Sequence, residues 1–415
     1  MLAAKCLSKM ENHQNPLQTA RTRKWCGLVE MSPKPLVYFG SVRSSSASPE
    51  QSLGGKFDVI LEKLDIKNSV KDKNVAVKAH LGSNVGFSTV NPFLIGRLVS
   101  AIKRGGGKPY IIDIVEQYPD AVKRGYTPEV LGCPIFPAAG PADRYYVETE
   151  VNYKGLKTLK MGGNVRDADV LVDISHVKGH NSIGYGAAIK NLAIGCFTQD
   201  TRWAMHRTQQ YDKYWDKEKC KDAETLVKAC PFGCIEYKDG NLTVVFDQCN
   251  QCMRCIAADT DGCLQINLEN FLSFTEINAI STKFVLAHFD ENERFFINVA
   301  TDITQYCDCW GFTTGEILPD LGILGSRDIV AVDKATLDLL ADKPLIKENV
   351  SQTLEVNDDP GLHPFARIHG PYKDPYNMIR FAEKYRLGSS NYELEEVLAP
   401  GPEPVRTPAK YPEVK

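Results

Sequence analysis

Apolar positions from residue 36 onward fall into two rhythms. Runs at 36–42, 74–80 and 109–114 are short and largely apolar, as buried strands are. Between the second and third lies a helical stretch, 92–103, which opens at Pro92 and stops at Gly105-Gly106-Gly107. Strand, helix and strand in that order predict parallel pairing through a crossover. Further short apolar runs at 170–174, 295–300 and 329–332 read as more buried strands, each beside a helical pattern. The fold class expected is therefore α/β, with a mixed or mostly parallel sheet covered by helices. Between residues 216 and 265 the texture changes: cysteines crowd together and Pro231, Gly233, Gly240 and Gly262 break the chain into short pieces. A small α+β insertion at 218–267 explains this, splitting the body into 31–217 and 268–398. The extension 1–30 and the Pro-rich, charged tail 399–415 flank it.

Composition narrows the function classes. Apolar residues are 43% and charged residues 24% of 415, with a net charge of −3. A chain of this length and balance builds a full core, and it offers no global basic field for nucleic acid or anionic lipid. No apolar run is long enough for a membrane span and the N-terminus lacks the apolar stretch of a secretory signal, so a cytoplasmic protein is expected. Residues 1–30 carry Lys5, Lys9, Arg21, Arg23 and Lys24 against Glu11 and Glu30. A targeting presequence has that bias, but an extension upstream of Met31 is the preferred reading.

Of the 13 cysteines, six fall between Cys220 and Cys255, clustered as metal ligands rather than spread as disulfide partners. Bacterial-type ferredoxins repeat C-x2-C-x2-C-x3-C-P, and the fourth cysteine of one run ligates the cluster held by the other run's trio. Here Cys249, Cys252 and Cys255 form a trio, and Cys230-Pro231 supplies the remote fourth ligand. The template places a second trio at 220, 223 and 226, where the chain has Cys220, Ala223 and Leu226, so one 4Fe-4S cluster is expected and not two. Asp239-Gly240 marks the turn of the hairpin that separates the motifs. This stretch of about fifty residues resembles ferredoxin; the degenerate first run and Cys263, four residues later than the template's last cysteine, depart from it. A four-thiolate zinc site is the alternative, although it usually takes two well-separated C-x2-C pairs.

The body carries Val75-Ala-Val-Lys-Ala-His-Leu-Gly82, Arg124-Gly-Tyr-Thr-Pro-Glu-Val-Leu-Gly-Cys133, Asp173-Ile-Ser-His-Val-Lys-Gly-His180 and Ala188-Ile-Lys-Asn-Leu-Ala-Ile-Gly195. Cys307-Asp-Cys309 and Pro319-Asp-Leu-Gly-Ile-Leu-Gly-Ser326 follow. Together these resemble the iron-sulfur branch of the domain-of-unknown-function 362 family, over about Val37 to Leu340. The resemblance implies a ferredoxin-like insertion in an α/β domain and hands over no activity.

In open α/β sheets ligands bind beyond the carboxyl ends of strands. One strand end delivers Lys78 and His80, and another delivers Asp173, His176, Lys178 and His180. Asn181 opens a loop with two glycines, and Lys190 and Asn191 follow on a predicted helix. His80, His176, Lys178 and His180 are the catalytic candidates for proton transfer. His176 and His180 would share a face if their segment were helical. Lys78, Asn181, Lys190 and Asn191 are candidates for holding a carboxylate or phosphate. Hydrogen-bonded loop histidines and solvated lysines are the plain alternative. Cys307 and Cys309 are candidate ligands for a second metal or another cofactor, and Asp320, Asp328 and Asp333 read as caps. The leading expectation is an oxidoreductase relaying electrons from an external donor, through the cluster, to a small anionic substrate. Its rival is a non-redox isomerase or lyase with a structural cluster; a bare electron carrier would leave the α/β body unexplained. Self-association is compatible with either.

Overall fold

The computed structural model describes residues 33–83, 86–114, 118–310 and 312–401; the extension 1–30 and most of the tail lie outside them. Eight strands form one sheet, in the spatial order Glu393–Glu396, Leu36–Ser41, Gly322–Ser326, Arg294–Ala300, Val170–His176, Asn74–Ala79, Lys108–Asp113 and Ile135–Pro137. Seven run in one direction, and Gly322–Ser326 runs against both of its neighbours. The fold is therefore mixed α/β with a mostly parallel sheet. Both faces are covered, which is why the strands read as continuous apolar runs. Val170, Val172 and Ile174 face a core built with Leu53–Lys63 and Pro92–Arg104, while Leu171 faces Ala188–Gly195, Phe271–Leu286 and Ile329–Leu340.

Pro92–Arg104 shows how local chemistry sets an element. The Asn91 side chain accepts from Phe93 N at 2.9 Å, Pro92 is pre-set for the first turn, and Leu94, Ile95, Leu98, Val99 and Ile102 are buried. Gly106, at φ +80°, then turns the chain toward the next strand.

The run 329–332 is not a strand. It opens the helix Ile329–Leu340, and the neighbouring strand is Gly322–Ser326. A four-residue apolar run does not by itself distinguish a buried strand from a buried helix start. Here Asp328 decides the matter by accepting from Val330 N and Ala331 N at 2.9 and 2.8 Å. Asp328→Ala should cost about 1–2 kcal/mol in urea unfolding; a loss below about 0.5 would show that the cap is dispensable.

The segment 218–267 contains the helix Ala223–Ala229, the hairpin Ile235–Lys238 with Asn241–Val244, and the short helix Arg254–Ala258. Asp239 and Gly240 both have positive φ, as a two-residue hairpin turn with the right twist requires. Leu226, Ile235, Leu242, Val244 and Phe246 form a local apolar cluster. A bridge between Trp215 and Leu264 closes the two ends of the segment side by side. No helix among the described residues is long and apolar enough to cross a membrane.

Candidate functional site

Strand order reverses between Asn74–Ala79 and Val170–His176. From the former the chain proceeds outward through Lys108–Asp113 to Ile135–Pro137, and from the latter it proceeds the other way to Arg294–Ala300. The two strands pair in parallel with Lys78 opposite Asp173, so their carboxyl ends open a crevice at the switch point, where α/β sheets bind ligands. His80 follows one strand, His176 ends the other, and the loop after Ala300 brings Cys307-Asp308-Cys309 across the top.

Two cavities occupy this end of the sheet. A narrow inner one of about 20 Å³ is lined by Lys78, His80, Asp113, Lys178, Lys190, Asn191, Arg202 and Cys309, among others. A larger outer one of about 460 Å³ is lined by His180, Asn181, Lys190, Arg202, Trp203, His206, Phe232, Cys309 and Trp310, among others. Lys190, Arg202 and Cys309 belong to both, so the cavities meet there.

The inner wall is a buried polar network. Lys78 Nζ donates to Asn191 Oδ1 at 2.8 Å and pairs with Asp113 Oδ1 at 3.1 Å, while Asn191 Nδ2 donates to Asp173 Oδ1 at 2.5 Å. Gly195 is required here, because a Cβ would collide with Lys78 Cε. Burial opposes ionisation of Asp113, but Lys78 and His80 hold its carboxyl well below the usual carboxylate range. Burial pushes Asp173 well above that range.

Asp308 organises the covering loop. It accepts from His176 Nδ1 at 2.9 Å, pairs with Lys178 Nζ at 3.4 Å, and its carbonyl accepts from Ser83 N at 3.0 Å. Burial disfavours its charge, yet His176 and Lys178 keep it ionised well below the usual range. Lys190 Nζ lies 2.9 Å from Cys307 Sγ, and Cys309 Sγ lies 3.1 Å from the same sulfur. The Cys309 hydrogen bond, with Lys190 nearby, draws Cys307 toward thiolate despite burial. Burial works against the Lys190 ammonium, but the two sulfurs more than offset it and raise its pKa.

Beyond Phe232, Cys230, Cys249, Cys252 and Cys255 line a separate cavity of about 20 Å³ with Ile235, Val244, Ile266 and Phe271; Cys234 lines it too, but its thiol donates to the Gln248 carbonyl at 3.0 Å. Cys234 N donates to Cys230 Sγ and Gln251 N to Cys249 Sγ, each at 3.2 Å. Positive φ at Gln251 and Met253 turns the loop tightly on either side of Cys252, which stays exposed. Burial pushes Cys249 up to about 12 and Cys255 up to about 11, so both remain thiols unless a cation draws off their protons. The rest of the candidate first run is elsewhere: Cys220 lies beside Cys263, both as thiols rather than a disulfide.

A family model described as a domain of unknown function, DUF362, matches residues 75–338, from the strand carrying Lys78 through most of the helix Ile329–Leu340. The chain belongs to the DUF362 family. No curated protein matches it. Among solved structures, the lactate racemase apoprotein from Thermoanaerobacterium thermosaccharolyticum is similar over 64% of this chain and 50% of that one, with 11% identity and a TM-score of 0.31. The chain thus spans about half the length of that protein, a likeness too slight to carry chemistry across.

Within this DUF362 fold the sequence-predicted residues separate into three groups. His80, Lys178, Lys190, Lys78 and Asn191 converge on the inner cavity, and His180 and Asn181 on the outer. His176 reaches neither: its Nδ1 faces Asp308, and its Nε2 faces the carbonyls of Thr301 and Asp302 at 3.1 Å, so it anchors the loop. His176 and His180 stand on the strands Val170–His176 and Lys178–His180, not on a helix, and do not share a face through i, i+4 spacing. His180 also differs from the expected base. Its Nδ1 accepts from Ser182 N at 3.1 Å, which leaves Nε2–H as a donor, and burial together with Lys190 keeps the ring neutral. Lys78 and Asn191 are fully engaged with protein partners and form the site's floor.

Arg202 and His206 were not picked out from the sequence. Both stand on Gln199–Arg207, capped by Thr198, one turn apart, and both line the outer cavity. Among the described residues, the buried Arg202 Nε and His206 Nδ1 have no hydrogen-bond partners. Burial and the nearby Arg202 hold His206 down to about 3, so it too is neutral. The legible signal was the Arg-x3-His spacing behind a threonine cap.

Proposed function

We propose that this chain is an iron-sulfur oxidoreductase in which Cys230, Cys249, Cys252 and Cys255 hold one 4Fe-4S cluster and the outer cavity binds a small anionic substrate. The observation that carries this reading is a shared wall: Phe232 lines both the four-cysteine cavity and the outer cavity. Asn181 Nδ2, on the substrate side, also donates to the carbonyl of Asp247 at 3.0 Å and lies 3.4 Å from that of Cys249. Electron transfer between the two would cross about one side chain.

The donor set suits a cluster better than a lone divalent ion. A tight trio with a remote Cys-Pro is ferredoxin spacing, and backbone N–H groups aimed at sulfur are the contacts that tune a cluster's potential. Bound by four thiolates, such a cluster supplies one-electron exchange. The remaining work falls to the chain. Lys190 and Arg202 would pair with a carboxylate or phosphate, His180 Nε2–H would donate to it, and Trp203 and Trp310 would exclude water. A cavity of about 460 Å³ is in the range that small-molecule sites occupy. An external donor would feed the cluster from the insertion's outer side.

Protein purified without oxygen should contain about four iron and four sulfide per chain, since one ligand quartet is complete. Eight of each, or stoichiometric zinc without sulfide, would overturn the assignment. Small carboxylates and phosphates should then be screened for a shift in the reduced cluster's paramagnetic resonance. Turnover of a bound anion that is indifferent to cluster oxidation state would favour the isomerase or lyase reading.

A further inference from the structure

We propose that His80, Cys307 and Cys309 form a second, mononuclear metal site for a divalent thiophilic cation of the zinc type, with its open position facing the cavities. The site shares no ligand with the four-cysteine cavity and stands whether or not that cavity carries a cluster.

Three observations carry it. First, a ring nitrogen of His80, Cys307 Sγ and Cys309 Sγ lie within 4.8 Å of one another, a grouping of three soft or borderline donors from two separate loops. Second, the imidazole is prepared as a ligand. His80 Nδ1 faces Asp113 Oδ2 at 3.2 Å, and the same carboxylate oxygen accepts from Leu81 N at 2.8 Å, which fixes the ring and its tautomer. A carboxylate on one ring nitrogen leaves the other as a bare lone pair, the usual outer-shell arrangement of metal-bound histidine. His80 Nε2 is buried and, among the described residues, has no hydrogen-bond partner. Third, cationic charge stands beside the sulfurs. Lys190 Nζ lies 2.9 Å from Cys307 Sγ, and Lys178 lines the same inner cavity.

Three protein ligands with a fourth position left open is the pattern of catalytic rather than structural zinc. Cys309, the exposed member, lines both cavities beside Arg202, so the open position would face the place where they meet. Binding displaces the hydrogen that Cys309 Sγ shares with Cys307 Sγ and releases it to solvent; no electron moves.

The test uses the full chain, purified anaerobically with its iron in place, and Co²⁺ as the probe. One Co²⁺ per chain should bind with sulfur-to-cobalt charge-transfer absorption and tetrahedral ligand-field bands, and Zn²⁺ should displace it. Cys309→Ser and His80→Ala should each weaken Co²⁺ binding at least about 100-fold with iron content unchanged. Asp113→Asn, which keeps the shape of the outer-shell group, should weaken it about 10–100-fold. Cys252→Ser should leave the Co²⁺ spectrum intact. The proposal is overturned if Co²⁺ binds without charge-transfer bands, or if Cys309→Ser binds it as the unaltered chain does. It is equally overturned if Cys252→Ser removes it, or if mass spectrometry finds Cys307 and Cys309 joined as a disulfide in the anaerobic protein.

Discussion

Lys78→Ala is expected to destabilise the fold by about 3–5 kcal/mol, the cost of removing one partner from a buried charge pair. Lys78 is fully buried, and its ammonium is the cation that faces Asp113 Oδ1 and the donor that holds Asn191 Oδ1. Without it the Asp113 charge keeps, among the described residues, His80 and the Leu81 amide, and Asn191 loses one of the contacts that seat Ala188–Gly195 on the sheet. The effect should be visible in urea unfolding. A substrate-binding lysine would behave differently: its removal would weaken ligand affinity with little change in stability. A loss under about 1 kcal/mol would return Lys78 to the substrate and unseat it from the floor of the site.

How much of this was legible follows from which interactions are local in sequence. The short apolar runs carry the strands because both sheet faces are covered. The adjacency of the strands ending near His80 and His176 is of this kind. The direction of a side chain within its loop is not. His176 looks like His180 in the sequence, yet Asp308, 132 residues away, turns it to a structural contact. The start of Ile329–Leu340 reads as a strand because a capping carboxylate, not apolar density, separates helix from strand there. The edge strand Glu393–Glu396 escaped notice because it is charged and mostly exposed, held by backbone pairing to Leu36–Ser41 rather than by an apolar face. Arg202 and His206 escaped because the helix that bears them is polar overall, and only the cavity gives their shared face a meaning.

Arg202→Gln should weaken binding of the cavity's anionic ligand about 10–100-fold while leaving iron content and unfolding unchanged. The magnitude is that of one hydrogen bond to a charged group, about 1.5–3 kcal/mol, at tenfold per 1.4 kcal/mol. Arg202 is the clean choice among the cavity's cations. Lys190 is engaged with Cys307 and Lys178 with Asp308 and the His176 carbonyl, so changing either also disturbs the covering loop. Among the described residues Arg202 makes one side-chain hydrogen bond, from Nη1 to Gln199 Oε1 at 2.8 Å, and its buried Nε has no partner there. Its planar fork is thus available to a carboxylate or phosphate, and Arg202→Lys should recover only part of the loss, because a lysine presents a point charge rather than two aligned donors. Cys252→Ala supplies the converse. It should remove the brown chromophore and redox turnover yet leave anion affinity within about threefold, because Cys252 lines the four-cysteine cavity and not the outer one. Calorimetric titration of both variants with the same anion separates the two halves of the proposal. Lost affinity in Cys252→Ala would mean that the insertion holds the cavity in shape, whereas undiminished affinity in Arg202→Gln would place the anion elsewhere.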